Sequence, residues 1–235
     1  MRDANRDSLN DHESPVRVSL FEDIRIDGCG LAFEELAWSE GYKVVAGVDE
    51  VGRGCLAGPV VAAACVLDGA KPLPKGLNDS KQVAREQREE IAQELRSGCV
   101  AIGIGLVEAD EIDRINILEA TKVAMRKAIE ELSPYADYLL VDALRLKGLS
   151  IPQRSIIKGD SVSASIAAAS IIAKTFRDQL MRSYDTEYPG YGFSEHVGYA
   201  TKAHLTALRS IGPCPLHRKS FKGVVPEGPD HPITG

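Results

Sequence analysis

The sequence lacks the features that mark secreted, membrane-spanning and zinc-binding proteins. Its five cysteines are scattered and none belongs to a C-x-x-C pair, which argues against a disulfide framework or a thiolate zinc site. No apolar run approaches the roughly 20 residues that span a bilayer. The first residues, MRDANRDSLNDHESP, are polar and contain no apolar signal core. We therefore expect a cytoplasmic protein with no membrane partner and reduced thiols, of which Cys55 and Cys65 have packing roles.

Two common catalytic motifs are also missing. Gly47 and Gly52 have the spacing that begins a P-loop, but the lysine and hydroxyl residue that should follow are absent, which excludes nucleotide binding of that kind. The histidines include no H-E-x-x-H pair. Three of them are expected at the surface or in hydrogen bonds: His196, His204 and His217.

Charge is distributed unevenly along the chain. The net charge is -6, and residues 1–40 account for all of it because they hold four arginines against ten acidic residues. Residues 145–222 hold twelve basic residues against five acidic ones. A basic half is compatible with a polyanionic partner such as nucleic acid. Solvated charged faces would explain the same pattern equally well.

The hydrophobic pattern indicates one large α/β domain. The chain has 235 residues, of which 44% are hydrophobic. Apolar runs predict strands over 43–49, 57–67, 99–107, 137–142 and 155–160. Ser80 is expected to cap a helix over 81–96, and Asn116 a helix that ends near 132. Further helical patterns lie within 31–42, 161–185 and 201–212.

Three of the predicted strands end in acidic residues: Asp49 with Glu50, Asp142, and Asp160. Ligands of α/β sheets gather outside strand ends, so neighbouring strands would bring these carboxylates together. Such a cluster repels itself unless a cation binds. Oxygen ligands without His or Cys favour Mg²⁺ or Mn²⁺ over zinc. Several carboxylates around two such ions form the standard site for in-line phosphoryl displacement.

Asp49 and Glu50 are adjacent in sequence, which constrains the backbone conformation between them. Adjacent side chains of a strand point to opposite faces, so both acids can share one site only if the strand breaks between them. The glycines that follow, Gly52 and Gly54, are expected to supply that break.

Other acidic and small residues have simpler interpretations. Taken alone, Asp160 would be a turn or cap residue. Asp79 is expected to turn the chain, although Ser80 and Lys81 beside it could face a phosphate. Asp178 is expected on a helix surface or in an ion pair, and the AAAS stretch at 167–170 is typical of close helix packing.

Seven stretches occur in order over about residues 30–222: GVDEVGRGCLAGPVVAAACVL, LNDSK, INILEATKVAM, LLVD, KGDSVSASIAAASIIAKTFRD, GYATKAHLTAL and GPCPLHRKSF. Together they resemble bacterial ribonuclease HII, a type 2 ribonuclease H. The resemblance implies an α/β, RNase H-like fold, in which helices flank a five-stranded mixed sheet and the C-terminal region is helical. It divides the chain into an acidic, flexible N-terminal extension (1–29), a catalytic domain (30–222) and a C-terminal tail (223–235).

The resemblance also implies an activity and a site. It implies a Mg²⁺- or Mn²⁺-dependent endonuclease that hydrolyses the RNA strand of RNA–DNA hybrids. It further implies incision 5′ of single ribonucleotides embedded in DNA, as in ribonucleotide excision repair, by two-metal-ion hydrolysis that leaves a 3′-hydroxyl and a 5′-phosphate. Carried over by motif position, the catalytic and metal-binding acids are Asp49, Glu50, Asp142 and Asp160. The substrate-binding residues are Gly52, Arg53, Gly54 and the sugar-contacting Tyr199.

One position departs from the family pattern, and two alternatives stay open. Ala143 follows the third acid where the family often has glycine, which questions the local loop geometry.

The first alternative is the sister ribonuclease HIII, but that family has an extra N-terminal domain and typically Glu as the fourth acid, whereas this chain has Asp160. The second is a non-catalytic nucleic-acid-binding module whose acids only balance Arg and Lys. A monomer is expected.

Overall fold

The computed structural model describes residues 28–225. Its strands are β1 (Val45–Val51), β2 (Val60–Val66), β3 (Ala101–Val107), β4 (Tyr138–Asp142) and β5 (Gln153–Ile156). Its helices are α1 (Ala32–Ser39), α2 (Arg85–Gly98), α3 (Ala109–Ile115), α4 (Ile117–Glu130), α5 (Ala164–Glu187), α6 (Phe193–His196) and α7 (Lys202–Ile211). The expected N-terminal extension and C-terminal tail lie almost entirely outside the described residues. Between residues 28 and 225, no helix is long and apolar enough to span a membrane.

The strands form one mixed sheet in the order β3-β2-β1-β4-β5. β1 pairs antiparallel with β2, and β2 with β3, whereas β1, β4 and β5 run parallel. β1 is central, and its apolar residues are buried on both faces, as the run VVAGV predicts. The expected five-stranded mixed sheet flanked by helices is confirmed.

Helices cover both faces of this sheet. α4 packs on β1, β2 and β3, while α5 packs on the opposite face against β1 and β2, with α2 beside it. At Gly47 in β1, a Cβ atom would lie 2.1 Å from the backbone carbon of Ser165 in the first turn of α5. Glycine therefore permits the close approach of α5 to the strand that carries Asp49. Residues 167–170 of α5 are buried in this interface, which confirms their predicted packing role.

The C-terminal region is helical, as expected, and has its own apolar cluster around Met181, Phe193 and Leu208. His196, His204 and His217 are buried in it, so the prediction of surface histidines is wrong and the prediction of hydrogen bonding is confirmed. The imidazoles of His204 and His217 meet through their Nε2 atoms at 3.0 Å.

Several local predictions differ from the structure. α2 begins at Arg85 rather than near 81, because Ser80 does not cap it: the Ser80 hydroxyl is hydrogen-bonded to the Ser170 hydroxyl at 2.9 Å. β5 covers Gln153–Ile156 rather than 155–160, since Lys158 adopts a left-handed conformation (φ 56°) that ends the extended run. α3 and α6 were not predicted. Asn116 does cap α4, accepting hydrogen bonds from the Leu118 and Glu119 amides.

Candidate active site

The ends of β1 and β4 bring three carboxylates together. Val48 and Val141 are partners across the parallel β1–β4 pair, so Asp49 and Asp142 are the next residues on neighbouring strands. Glu50 directly follows Asp49. One oxygen from each of these three side chains lies within 4.8 Å of the others. The structure thus joins three of the four predicted acids at the edge where the carboxyl ends of the parallel strands meet.

The predicted strand break between Asp49 and Glu50 is wrong. β1 continues to Val51, and Glu50 stays in register with Ala62 of β2. The two side chains converge through their own conformations. The Asp49 carboxylate turns toward its own backbone, where its Oδ1 accepts a hydrogen bond from the Glu50 amide at 2.7 Å. Glu50 is held by Arg53, whose Nη1 lies 3.2 Å from Glu50 Oε1.

Asp160 lies beside the three acids rather than at a strand end. It sits in a 3-10 turn, Gly159–Ser161, just before α5, and only 6% of its surface is exposed. Its Oδ2 lies 3.6 Å from Lys81 Nζ, which also lies 3.8 Å from Asp79 Oδ1. Asp79 turns the chain as predicted, since its Oδ1 accepts a hydrogen bond from the Lys81 amide. The Gly159 amide donates to Asp142 Oδ1 at 2.7 Å, which ties this turn to the third acid.

Burial and mutual repulsion disfavour the charged forms of these acids. Burial raises the pKa of Asp49 well above its usual range, and the charges of Glu50 and Asp142 raise it further. Burial also raises the pKa of Asp142, which its hydrogen bond from Gly159 only partly opposes. For Asp160, burial and then the Asp79 and Asp142 charges raise the pKa.

The donor set fits a hard divalent cation. Burial raises the pKa of Glu50 although Arg53 opposes that shift, and Glu50 Oε2 is buried with no hydrogen-bond partner among residues 28–225. A buried carboxylate oxygen without a hydrogen-bond partner, beside two converging carboxylates, is the kind of donor that a divalent cation binds. Oxygen ligands of this kind suit Mg²⁺ or Mn²⁺. Asp49, Glu50 and Asp142 would hold the ion.

The predicted substrate-binding residues border the carboxylates. A groove of ≈ 190 Å³ is lined by Glu50, the Gly52–Gly54 loop, Lys81, Lys174 and Tyr199, among others. Tyr199 is 39% exposed, and Lys174 Nζ lies 5.6 Å from the centre of its ring. The loop and the tyrosine, which are far apart in sequence, therefore face one groove.

Ala143 adopts the backbone conformation that the family's glycine would favour. Its φ is 49°, in the left-handed region, and its amide donates to the Ile156 carbonyl of β5 at 2.9 Å. An L-residue pays about 1 kcal/mol for this conformation. The departure at Ala143 therefore leaves Asp142 in place at a cost in backbone strain.

Sequence reasoning missed several buried polar residues around the site. Asp178 is an ion-pair partner, as one of its two interpretations predicted, but it is buried between Lys174 and Arg88 rather than on the helix surface. Arg177 and Arg218 are fully buried, and no role was expected of them, although both lie in stretches that carry the family resemblance, KTFRD and LHRKSF. Glu34 is buried on α1, a helix that the sequence predicted, and accepts a hydrogen bond from the Ser165 amide at 2.8 Å.

Comparison with known proteins identifies this arrangement. The family model described as Ribonuclease HII matches residues 46–224, which include all four acids. The chain belongs to the ribonuclease HII family. A ribonuclease HII of Chlamydia caviae is 57% identical over 190 residues, which cover 80% of this chain and 89% of that protein. One of Geobacter metallireducens is 50% identical over 210 residues, which cover 89% and 97%.

Solved structures agree with the ribonuclease HII assignment. The ribonuclease HII of Archaeoglobus fulgidus, solved in a complex with PCNA, superposes with a TM-score of 0.64 at 26% identity, covering 77% of this chain and 96% of that one. Ribonuclease H2 of Pyrococcus horikoshii gives a TM-score of 0.62 at 27% identity, covering 77% and 95%. A ribonuclease HIII gives 0.61 at 20% identity, a likeness in fold alone. The chain is thus an endonuclease that hydrolyses RNA in RNA–DNA hybrids, and neither alternative raised by the sequence is supported.

Proposed function

We propose that Asp49, Glu50, Asp142 and Asp160 are the catalytic, metal-binding acids of this ribonuclease, and that their metal is Mg²⁺ or Mn²⁺. The observation that carries the proposal is the convergence of three carboxylate oxygens within 4.8 Å, one of them on a glutamate whose other oxygen is buried and unpaired. Among residues 28–225, the ion pairs to these four acids come from Arg53 and Lys81, and two positive charges are too few to neutralise four carboxylates.

Each acid has a role that its position suggests. Divalent cations bound here would supply charge neutralisation at the attacking and leaving oxygens of the phosphodiester. Asp49 is the most buried of the four acids and lies on the central strand β1, so it would be the ligand best suited to be shared between two ions. Glu50 and Asp142 complete the oxygen donor set, and Asp160 adds the fourth carboxylate from the turn before α5. The chemistry is mostly positioning and charge stabilisation.

The groove beside the acids supports a substrate with a single ribonucleotide. The Gly52–Gly54 loop lines the groove, and the space where a Cβ of Gly54 would lie is open, so a sugar and phosphate can approach this backbone closely. Arg53 can bind a phosphate through its guanidinium. The 2′-hydroxyl distinguishes RNA from DNA, and backbone amides of this loop can read it while Tyr199 stacks on the sugar. We propose incision on the 5′ side of one embedded ribonucleotide, with 3′-hydroxyl and 5′-phosphate products.

The same proposal includes the setting in which the enzyme acts. Every proposed site residue comes from one chain, so action as a monomer suffices. We propose that it acts in the cytoplasm, where RNA–DNA hybrids and DNA with embedded ribonucleotides would arise.

The test is cleavage of three labelled duplexes with Mg²⁺ or Mn²⁺: DNA with one ribonucleotide, a continuous hybrid, and DNA alone. The expected result is metal-dependent cutting of the first two and none of the third. The proposal on substrate is wrong if only the continuous hybrid is cut. The metal assignment is wrong if chelation with EDTA leaves the rate unchanged.

A further inference from the structure

Two arginines are buried beneath the groove without forming a salt bridge in the described part of the chain. Arg177 of α5 and Arg218, which follows α7, are each 0% exposed. Every hydrogen bond recorded for their side chains goes to a backbone carbonyl. A buried guanidinium is costly unless its donors are used, so these carbonyls are the partners that hold both residues in place.

Arg177 joins two segments of the site. Its Nη2 donates to the Ala57 carbonyl at 3.0 Å and its Nε to the Pro59 carbonyl at 2.9 Å, just after the Gly52–Gly54 loop. Its Nη1 donates to the Val197 carbonyl at 2.8 Å, two residues before Tyr199. One planar guanidinium therefore spans the loop segment and the tyrosine segment.

Arg218 also donates hydrogen bonds to the loop segment, at carbonyls that Arg177 does not contact. Its Nη1 donates to the Arg53 carbonyl at 2.9 Å, and its Nε and Nη2 both donate to the Gly58 carbonyl. Burial lowers the pKa of Arg218 to about 10, so it stays charged at neutral pH. The loop is thus tied at residue 53, inside the Gly-Arg-Gly element itself.

Two glycines show how tightly Arg177 fits between the segments. A Cβ at Gly52 would lie 2.2 Å from Arg177 Nε. A Cβ at Gly198 would lie 2.4 Å from the Ala57 carbonyl oxygen and 3.3 Å from Arg177 Nη2. A direct backbone hydrogen bond also joins the two segments here, from the Leu56 amide to the Gly198 carbonyl at 2.8 Å.

We propose that Arg177 is a positioning residue that sets the distance between the Gly52–Gly54 loop and Tyr199, and so sets the preference for a single ribonucleotide. The inference rests on the proposed function, in which loop and tyrosine engage the same sugar. One ribonucleotide must be met by both segments at once. A continuous hybrid offers a ribose in every register and many further backbone contacts, so it tolerates a misplaced tyrosine better.

Two variants test this from different directions. Arg177→Lys keeps the charge but loses the planar fork, because an ammonium cannot reach three divergent carbonyls with the same geometry. Gly198→Ala keeps Arg177 and pushes the tyrosine segment away from Ala57. Arg88→Lys is the control for loss of a largely buried arginine, since Arg88 bonds Val83 and Asp178 instead. Gly190→Ala is the control for a Cβ at positive φ, because its nearest neighbour is at 3.4 Å.

The measured quantities are kcat/KM on the single-ribonucleotide duplex and on the continuous hybrid, for each variant. We expect both test variants to lose on the order of ten- to a hundredfold more activity on the single site than on the hybrid. The control variants should change kcat/KM by the same factor on both substrates. On a Tyr199→Ala background, Arg177→Lys should cost much less than it does alone, since it acts through the tyrosine. The melting-temperature shift caused by Mn²⁺ should be unchanged.

The outcomes separate the inference from the proposed function. If the wild-type enzyme ignores the single ribonucleotide, the proposed substrate is wrong and the inference falls with it. If the wild-type enzyme cuts it and the folded variants lose activity equally on both substrates, only the inference is overturned. If Arg177→Lys does not fold, Gly198→Ala decides alone by the same ratio.

Discussion

The substitution Asp142→Asn separates a catalytic carboxylate from a structural one. Asparagine keeps the oxygen that accepts the Gly159 amide at 2.7 Å, so the link between β4 and the turn of Asp160 should survive. What it removes is one negative charge from three carboxylates within 4.8 Å of one another. We expect loss of cleavage together with a more stable metal-free protein.

The size of both effects follows from the geometry. Two unit charges at this separation repel by about 3 kcal/mol at an effective dielectric constant near 20. Asp142 is partly exposed, so solvent screening reduces the net gain to about 1 kcal/mol, or about 2–4 °C in melting temperature. Losing one charged ligand should cost the transition state about 3–4 kcal/mol, which is a rate reduction of about 10²–10³-fold.

The assay compares wild type, Asp142→Asn and the exposed-acid control Asp110→Asn. Duplex affinity, cleavage rate, and melting temperature with and without Mn²⁺ are measured on each. The reasoning is refuted if Asp142→Asn cuts at a near-normal rate, or if it melts at a lower temperature than wild type without metal. A control that behaves like Asp142→Asn would show a general charge effect rather than a metal site.

Four further predictions have simple measurements. Ala143→Gly should raise the free energy of unfolding by about 0.5–1 kcal/mol in urea titrations, because it relieves a positive φ. Tyr199→Ala should reduce cutting at a single ribonucleotide more than Tyr199→Phe, since the ring rather than its hydroxyl stacks. The pKa values of the four acids are raised, so protons compete with the metal, and the metal concentration for half-maximal rate should increase as pH falls. For the same reason, the metal-free protein should lose stability as pH rises through those pKa values, because buried carboxylates then become charged. Deleting residues 1–29 should leave activity intact and tighten non-specific duplex binding at low salt, because it removes negative charge.

The sequence by itself predicted the α/β class and four of the five strands, and it named the acids that are proposed as catalytic. Short buried strands and long amphipathic helices have strong local signals, and Asn116 carries its cap signal in its own side chain. The motif around Asp49 is contiguous, so its residues could be assigned without knowing the fold. At Ala143, where the family often has glycine, the sequence questioned the loop geometry but did not predict the positive φ that the structure shows.

Only the tertiary structure decided how these residues meet. The convergence of Asp49 and Glu50 without a strand break depends on side-chain rotation and on Arg53, which periodicity does not encode. Asp160 reaches the site from a 3-10 turn whose placement depends on α5 packing against Gly47. The bridge from Arg177 to carbonyls 118 and 120 residues earlier in the chain has no local signature, because a backbone carbonyl looks the same at every position of a sequence.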